Sequence, residues 1–204
     1  MRIGILGLQG GVYEHYYMLK RVLDEEGIGG EIVVVKKPRE LEGIDGIVIP
    51  GGESTTIGVL ARRTGILDQL RDLILGGLPA MGTCAGAILM AKRAVDRVTG
   101  KTSQPLLGVM DIEVTRNYFG RQRESFEIDL LIEELGDKPF RGVFIRAPAI
   151  TSYWGEAEPL AKISWNGEEV VAIAREKHML ATVFHPELTN DTRIHRLFIK
   201  TIKK

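Results

Sequence analysis

Short apolar runs alternate with stretches of helical period through the first half of the chain. RIGILGL precedes a helix-period segment at Val12–Glu26, EIVVV follows it, GIVIP precedes GGESTTIGVLARR, and PAMGT precedes AGAILMAK. A continuous apolar run marks a strand buried on both faces, and a following 3.6-residue period marks the helix that covers it. The repetition predicts an α/β fold: a doubly wound, mostly parallel sheet with helices on both faces. The second half changes period. GVMDIEVTR, SFEIDLLI, GVFIRAP and LAKISWNGEEVVAIAREKHMLATVFH read as successive strands, with NGEE and EKH as hairpin turns. A closing helix is expected from about Asp191 to the end, capped by Asn190 or Asp191. The Gly-, Pro- and polar-rich DRVTGKTSQPLL, residues 96–107, reads as a mobile loop lying away from the motifs, not as a domain boundary. No repeat or linker interrupts the pattern, and 204 residues suit one domain, 1–204.

Composition narrows the class. Lys+Arg and Asp+Glu are equal at 27 each, which argues against a general nucleic-acid binder. No apolar run reaches the roughly 18 to 20 residues that span a bilayer, and MRIGILGLQGG is too short in its apolar part for a signal peptide. A single cysteine cannot form an internal disulfide. A cytoplasmic protein is expected.

That cysteine, Cys84, falls in Gly82-Thr83-Cys84-Ala85-Gly86, between a predicted strand and a predicted helix. Glycines two residues to either side let strand and helix approach closely, as in the nucleophile elbow of the G-x-S-x-G hydrolases, and a helix start beside a thiol favours the thiolate. A lone cysteine is also a common small buried apolar residue, so both readings stand on these residues. A thiol nucleophile needs a base. His15 and His195 lie in predicted helices among charges and His178 in a polar turn, so surface positions are expected for all three. His185 instead ends the apolar strand MLATVF, is followed by Pro186, and has Glu187 two residues on to orient its ring. Gly51 and Gly52 of PGGEST, with the N–H of Ala85, could stabilise an oxyanion.

PGGEST, GTCAG and FHPELT, in this order and spacing, resemble the class I, triad-type glutamine amidotransferases. GLQGGVYEH, GGESTT, RNYFGRQRESFE and GVFIRAP extend the resemblance, over essentially the whole chain, to the family of glutaminase subunits of pyridoxal 5'-phosphate synthase. The resemblance implies a flavodoxin-like fold and hydrolysis of L-glutamine to glutamate and ammonia. Cys84 would be the nucleophile, His185 the base and then the acid, and Glu187 its orienter. Gly52, Glu53, Ser54, Arg116, Ile145 and Arg146 would contact glutamine, and Gln9 would lie by the oxyanion hole and the partner contact. A fixed acid and a fixed guanidinium suit the ammonium and carboxylate of a free amino acid. The implied partner is a separate synthase subunit that receives the ammonia and builds pyridoxal phosphate; no cofactor, metal, nucleic acid or membrane is implied. Two other readings share these residues: a glutaminase serving another synthase, such as one forming imidazole-glycerol phosphate, and a chaperone or stress-response relative using the same elbow. His185-Pro186-Glu187 favours the glutaminases, because only they need it.

Overall fold

The computed structural model describes residues 1–120 and 125–203. Along the chain run β1 (Arg2–Leu6), α1 (Val12–Glu26), β2 (Glu31–Val35), β3 (Gly46–Ile49), α2 (Ser54–Thr64), α3 (Ile66–Leu75), β4 (Ala80–Thr83) and α4 (Ala85–Met90). There follow β5 (Ala91–Asp96), β6 (Gly100–Lys101), β7 (Met110–Arg116), β8 (Phe126–Leu130), β9 (Phe140–Phe144) and β10 (Ala149–Tyr153). The chain closes with β11 (Glu158–Trp165), β12 (Glu168–Glu176), β13 (Met179–Thr182) and α5 (Arg193–Ile202).

The main sheet has the order β2-β1-β3-β4-β13-β12-β10-β7-β5-β6, with β11 paired to β12. Its first five strands are parallel, in the flavodoxin-like order. Ile3, Ile5, Ile47, Val48, Ile49, Met81 and Leu180 are all buried there, as the apolar runs require. Right-handed crossovers leaving β1 and β3 in opposite directions put their helices on opposite faces. α1 packs with α5, and α2 with α3 and α4. Beyond β13 the sheet becomes antiparallel, apart from the parallel β5–β7 pair. Both predicted hairpin turns are present: Asn166 and Gly167 join β11 to β12 with positive φ (51° and 82°), and Lys177 (φ 55°) lies between β12 and β13.

A separate β8–β9 ribbon leans on the sheet through aromatic contacts. Phe126 stacks on Phe144 at 4.7 Å and on Trp165 at 4.8 Å, with Phe119 edge-on to all three. These contacts fix the end of β9 beside the first residues after β13.

Several expectations change. The AGAILMAK helix stops at Met90, because the segment after β6 takes its terminal carbonyls: Leu107 N–H donates to Leu89 O (2.7 Å) and Val109 N–H to Met90 O (2.8 Å). The 96–107 segment therefore does not lie away from the motifs. It opens as the β5–β6 hairpin, Arg71 donates to the Leu106 and Leu107 carbonyls, and Gln104 reaches α2. α5 starts at Arg193, whose N–H is accepted by the Asp191 carboxylate at 3.1 Å. The 121–124 portion of RNYFGRQRESFE and Lys204 lie outside the described residues.

His15 and His195 are not surface residues; both are fully buried. Each falls on the inner stripe of its helix, His15 in register with Met18, Leu19 and Val22, and His195 with Phe198 and Ile199. Helical period outweighs the charged neighbours. His178 is half-buried, with Nε2 2.7 Å from the Ile74 carbonyl.

Candidate active site

Cys84 occupies the turn from β4 to α4 with φ 49° and ψ −101°, a backbone region that residues other than glycine rarely adopt. The flanking glycines have a packing reason. A Cβ on Gly86 would stand 2.0 Å from the Ile49 carbonyl oxygen, and one on Gly82 would stand 2.6 Å from both Gly86 C and Met90 Sδ. Helix α4 thus sits against β3 and β4 at a distance only glycine allows, and the thiol is driven up at the carboxyl ends of the strands.

His185 follows β13, the strand beside β4. Its N–H donates to the Val143 carbonyl of β9 at 2.8 Å, so the ribbon anchors it. Pro186 opens a short 3₁₀ turn that brings Glu187 round, and Glu187 Oε1 accepts from His185 Nδ1 at 2.7 Å. Gly51 fits against both catalytic candidates: a Cβ there would lie 2.5 Å from His185 Cε1 and 3.4 Å from Cys84 Cβ. Burial alone would push the His185 pKa down, but hydrogen bonding to Cys84 and to Glu187 outweighs it and raises it to about 10. The buried Glu187 carboxyl is held below its ordinary range because the His15 and His185 rings facing it overcome the cost of burial.

Cys84 and His185 open onto a cleft of about 270 Å³, lined also by Gly52, Glu53, Ser54, Ile88, Arg116, Asn117, Ile145, Arg146 and Pro148. All six residues expected to contact glutamine are there. Cys84, Asn117 (φ 54°) and Arg146 (φ 46°), three non-glycine residues with positive φ, line this one cleft. Glu53 caps α2, accepting from the Thr55 N–H (3.1 Å) and Thr56 N–H (2.6 Å), and lies 3.3 Å from Arg116 Nη2. Its carboxyl is held below the ordinary range; burial opposes this, and the bonds from Thr56 and Thr55 prevail. Glu53 and Arg116, one of the two arginines expected to contact glutamine, are therefore already neighbours.

The floor beneath Gly51 and Gly52 is built from the end of β1. Gln9 Oε1 accepts from the Glu53 N–H at 2.7 Å, and Gly10 approaches so closely that a Cβ would stand 1.8 Å from the Gly51 oxygen. The Gly51 N–H donates to Thr83 Oγ1 at 3.0 Å and is not aimed at the cleft. Of the three expected oxyanion donors, Gly51 is engaged elsewhere, which leaves Gly52 and Ala85, the latter on the first turn of α4 where helix N–H groups lack internal partners.

Three residues in or behind the cleft escaped the sequence reading. Gln104 Oε1 accepts from Arg116 Nη1 (2.8 Å), Ser54 Oγ (3.1 Å) and Thr55 Oγ1 (3.2 Å), yet it comes from the segment read as a detached loop. Asn117 follows the recognised Arg116, and only its backbone geometry distinguishes it. Thr83 lies inside GTCAG, where nothing in the motif itself marks the hydroxyl that meets His15 and Gly51.

Among the described residues no helix is long and apolar enough to cross a membrane. The SNO glutamine amidotransferase family matches residues 5–204. Proteins named pyridoxal 5'-phosphate synthase subunit PdxT from Staphylothermus marinus and Aeropyrum pernix are 66% and 60% identical, each over the whole of both chains. A crystal structure of a glutamine amidotransferase, 44% identical, superposes with a TM-score of 0.84 over 99% of each chain. A Thermotoga maritima glutamine amidotransferase, 14% identical and covering 100% of this chain and 84% of its own, shares the fold with a TM-score of 0.60. With an elbow cysteine and a paired histidine and glutamate around one cleft, and a match across nearly its full length, the chain belongs to the SNO glutamine amidotransferase family.

Proposed function

We propose that this chain is the glutaminase subunit of a pyridoxal 5'-phosphate synthase, working through Cys84, His185 and Glu187 and passing ammonia to a separate synthase subunit in a hetero-oligomeric complex. The observation that carries the triad is the Nδ1–Oε1 bond of 2.7 Å between His185 and Glu187, on a ring that shares the cleft with the elbow thiol. The naming of the whole-length relatives supports the synthase.

The Cys84 thiolate attacks the side-chain amide carbon of glutamine, forming a C–S bond and a tetrahedral oxyanion. The His185 imidazolium gives its proton to the amide nitrogen, the C–N bond breaks, and ammonia leaves a γ-glutamyl thioester. Neutral His185 then takes one proton from water as the oxygen adds to the thioester; the C–S bond breaks, the thiolate–imidazolium pair is restored, and the new γ-carboxylic acid leaves as glutamate, its remaining proton passing to solvent. A histidine pKa raised to about 10 suits a ring that begins the cycle protonated. Glu187 keeps the ring oriented and offsets its charge. Glu53 and Arg116 receive the amino acid end, with Gly52, Ser54, Ile145 and Arg146 around it.

The test is ammonia release from L-glutamine by the chain with and without a pyridoxal 5'-phosphate synthase subunit. Glutamine-dependent pyridoxal phosphate formation by the pair is the expected outcome. Its absence, with ammonia-dependent formation intact, would overturn the assignment.

A further inference from the structure

Behind the triad lies a buried pair of rings that the mechanism above does not use. His15 Nδ1 is 2.9 Å from His195 Nε2, and His15 Nε2 is 3.0 Å from Thr83 Oγ1 and 3.5 Å from Glu187 Oε2. Both histidines are fully buried. Burial lowers the pKa of each, to about 3 for His195, so both rings are neutral at physiological pH.

Neutrality fixes the protons. His195 Nδ1 is buried and without a hydrogen-bond partner among the described residues. A bare ring nitrogen tolerates that position far better than an N–H, whose desolvation goes uncompensated. His195 therefore donates Nε2–H to His15 Nδ1. A neutral ring carries one proton, so His15 bears its own on Nε2, aimed at Thr83 Oγ1 and Glu187 Oε2. That carboxylate oxygen is itself buried and makes no hydrogen bond among the described residues, with the His15 ring 3.5 Å away, whereas Oε1 is occupied by His185. The opposite arrangement would bury an unpaired N–H on His195 and turn a lone pair towards the carboxylate.

We infer that His15 is a positioning residue of the glutaminase: its Nε2–H, backed by His195, holds Glu187 Oε2 and Thr83 Oγ1 together. Through Glu187 it sets the His185 ring, and through Thr83, which accepts the Gly51 N–H, it sets the peptide beside the nucleophile. One ring thereby ties the proton-transfer side of the site to the oxyanion side. The inference rests on the triad reading.

The test is steady-state glutamine hydrolysis by the full chain, saturated with the synthase subunit, comparing His15→Leu, His15→Gln and Cys84→Ala. A glutamine amide can place N–H₂ where the imidazole Nε2 stands, and leucine fills the space without a donor. His15→Leu should lose about tenfold to a hundredfold in kcat with KM within about twofold, whereas His15→Gln should stay within about threefold of the parent, a partition expected for an outer-layer orienting bond. Equal kcat for Leu and Gln, or losses that follow their melting temperatures, would overturn the inference. Should His15→Leu fail to fold, His15→Asn replaces it, since its shorter amide reaches His195 but not Glu187; Asn as active as Gln would overturn the inference equally. An active Cys84→Ala would overturn the triad reading itself, whereas an inactive Cys84→Ala beside equal Leu and Gln variants overturns only the role of His15.

Discussion

Gly11 donates its backbone N–H to the carbonyl oxygen of Gly51 at 3.1 Å. This bond fixes the orientation of the Gly51–Gly52 peptide from the start of α1, the helix that also carries the exposed Tyr13 and Tyr17. A peptide has its N–H and C=O on opposite sides, so any reorientation of the Gly52 N–H requires the Gly11 bond to break. The prediction is that a synthase subunit docking over Gln9 and α1 resets this peptide and so completes the oxyanion hole. The expected gain is that of one oxyanion donor, about a hundred- to a thousandfold in kcat. Kinetics of the chain alone and saturated with partner measure it, and equal kcat/KM in the two conditions would sink partner-completed catalysis.

Cys84→Ala should abolish ammonia release and leave the melting temperature nearly unchanged, because alanine keeps a small side chain at the elbow and removes only the nucleophile. Activity above about a tenth of the parent would remove Cys84 from the mechanism, since loss of a nucleophile costs several orders of magnitude.

His185→Asn should approach the cysteine variant in severity, and Glu187→Gln should be milder, because the ring moves the proton and the carboxylate orients the ring. His178→Gln serves as the control, its ring being bonded to the Ile74 carbonyl. A kcat loss there matching that of His185→Asn would reassign the base.

Glu53→Gln should chiefly raise KM for glutamine. It removes the charge that would meet the substrate ammonium, while the amide oxygen keeps one of the two α2 cap bonds. Unchanged KM and kcat would place Glu53 outside the substrate site; the melting curve reads the cap separately.

The pH dependence of stability should have a signature at each end. His185, raised from 6.5 to about 10, stabilises the fold fully below pH 6.5, and that contribution is lost as pH rises towards 10. On the acid side, the unfolded chain takes protons that buried His195, lowered to about 3, refuses, so stability falls as pH drops below 6.5, by up to about 1.4 kcal/mol per unit while it lasts. Thermal melts from pH 4 to 10 should show His185→Asn flatter than the parent on the alkaline side. Parallel curves there would remove His185 as a buried cation.

The parallel half of the fold was legible because buried strands and covering helices impose unmistakable periods, and the cleft was legible because its glycines and charges sit in short contiguous motifs. Strand β5 was missed for a local reason: AKRAVD continues a helical pattern until Leu107 and Val109 claim the α4 carbonyls, a pairing across many residues that no window of sequence displays. Gln104 was missed in the same way, an ordinary polar residue made specific by Arg116 and Ser54 arriving from other elements. His15 and His195 were misjudged by weighing adjacent charges over helical register. Register was the better guide.

The elbow holds the only sulfhydryl in the chain. Any thiol-directed label therefore attaches to one address, and on the proposed mechanism one equivalent of reagent counts one active centre. Preparations can be calibrated by stoichiometric titration before a single turnover is measured. The same label, seated in the cleft, would report any event that changes its environment, with no second cysteine to engineer away.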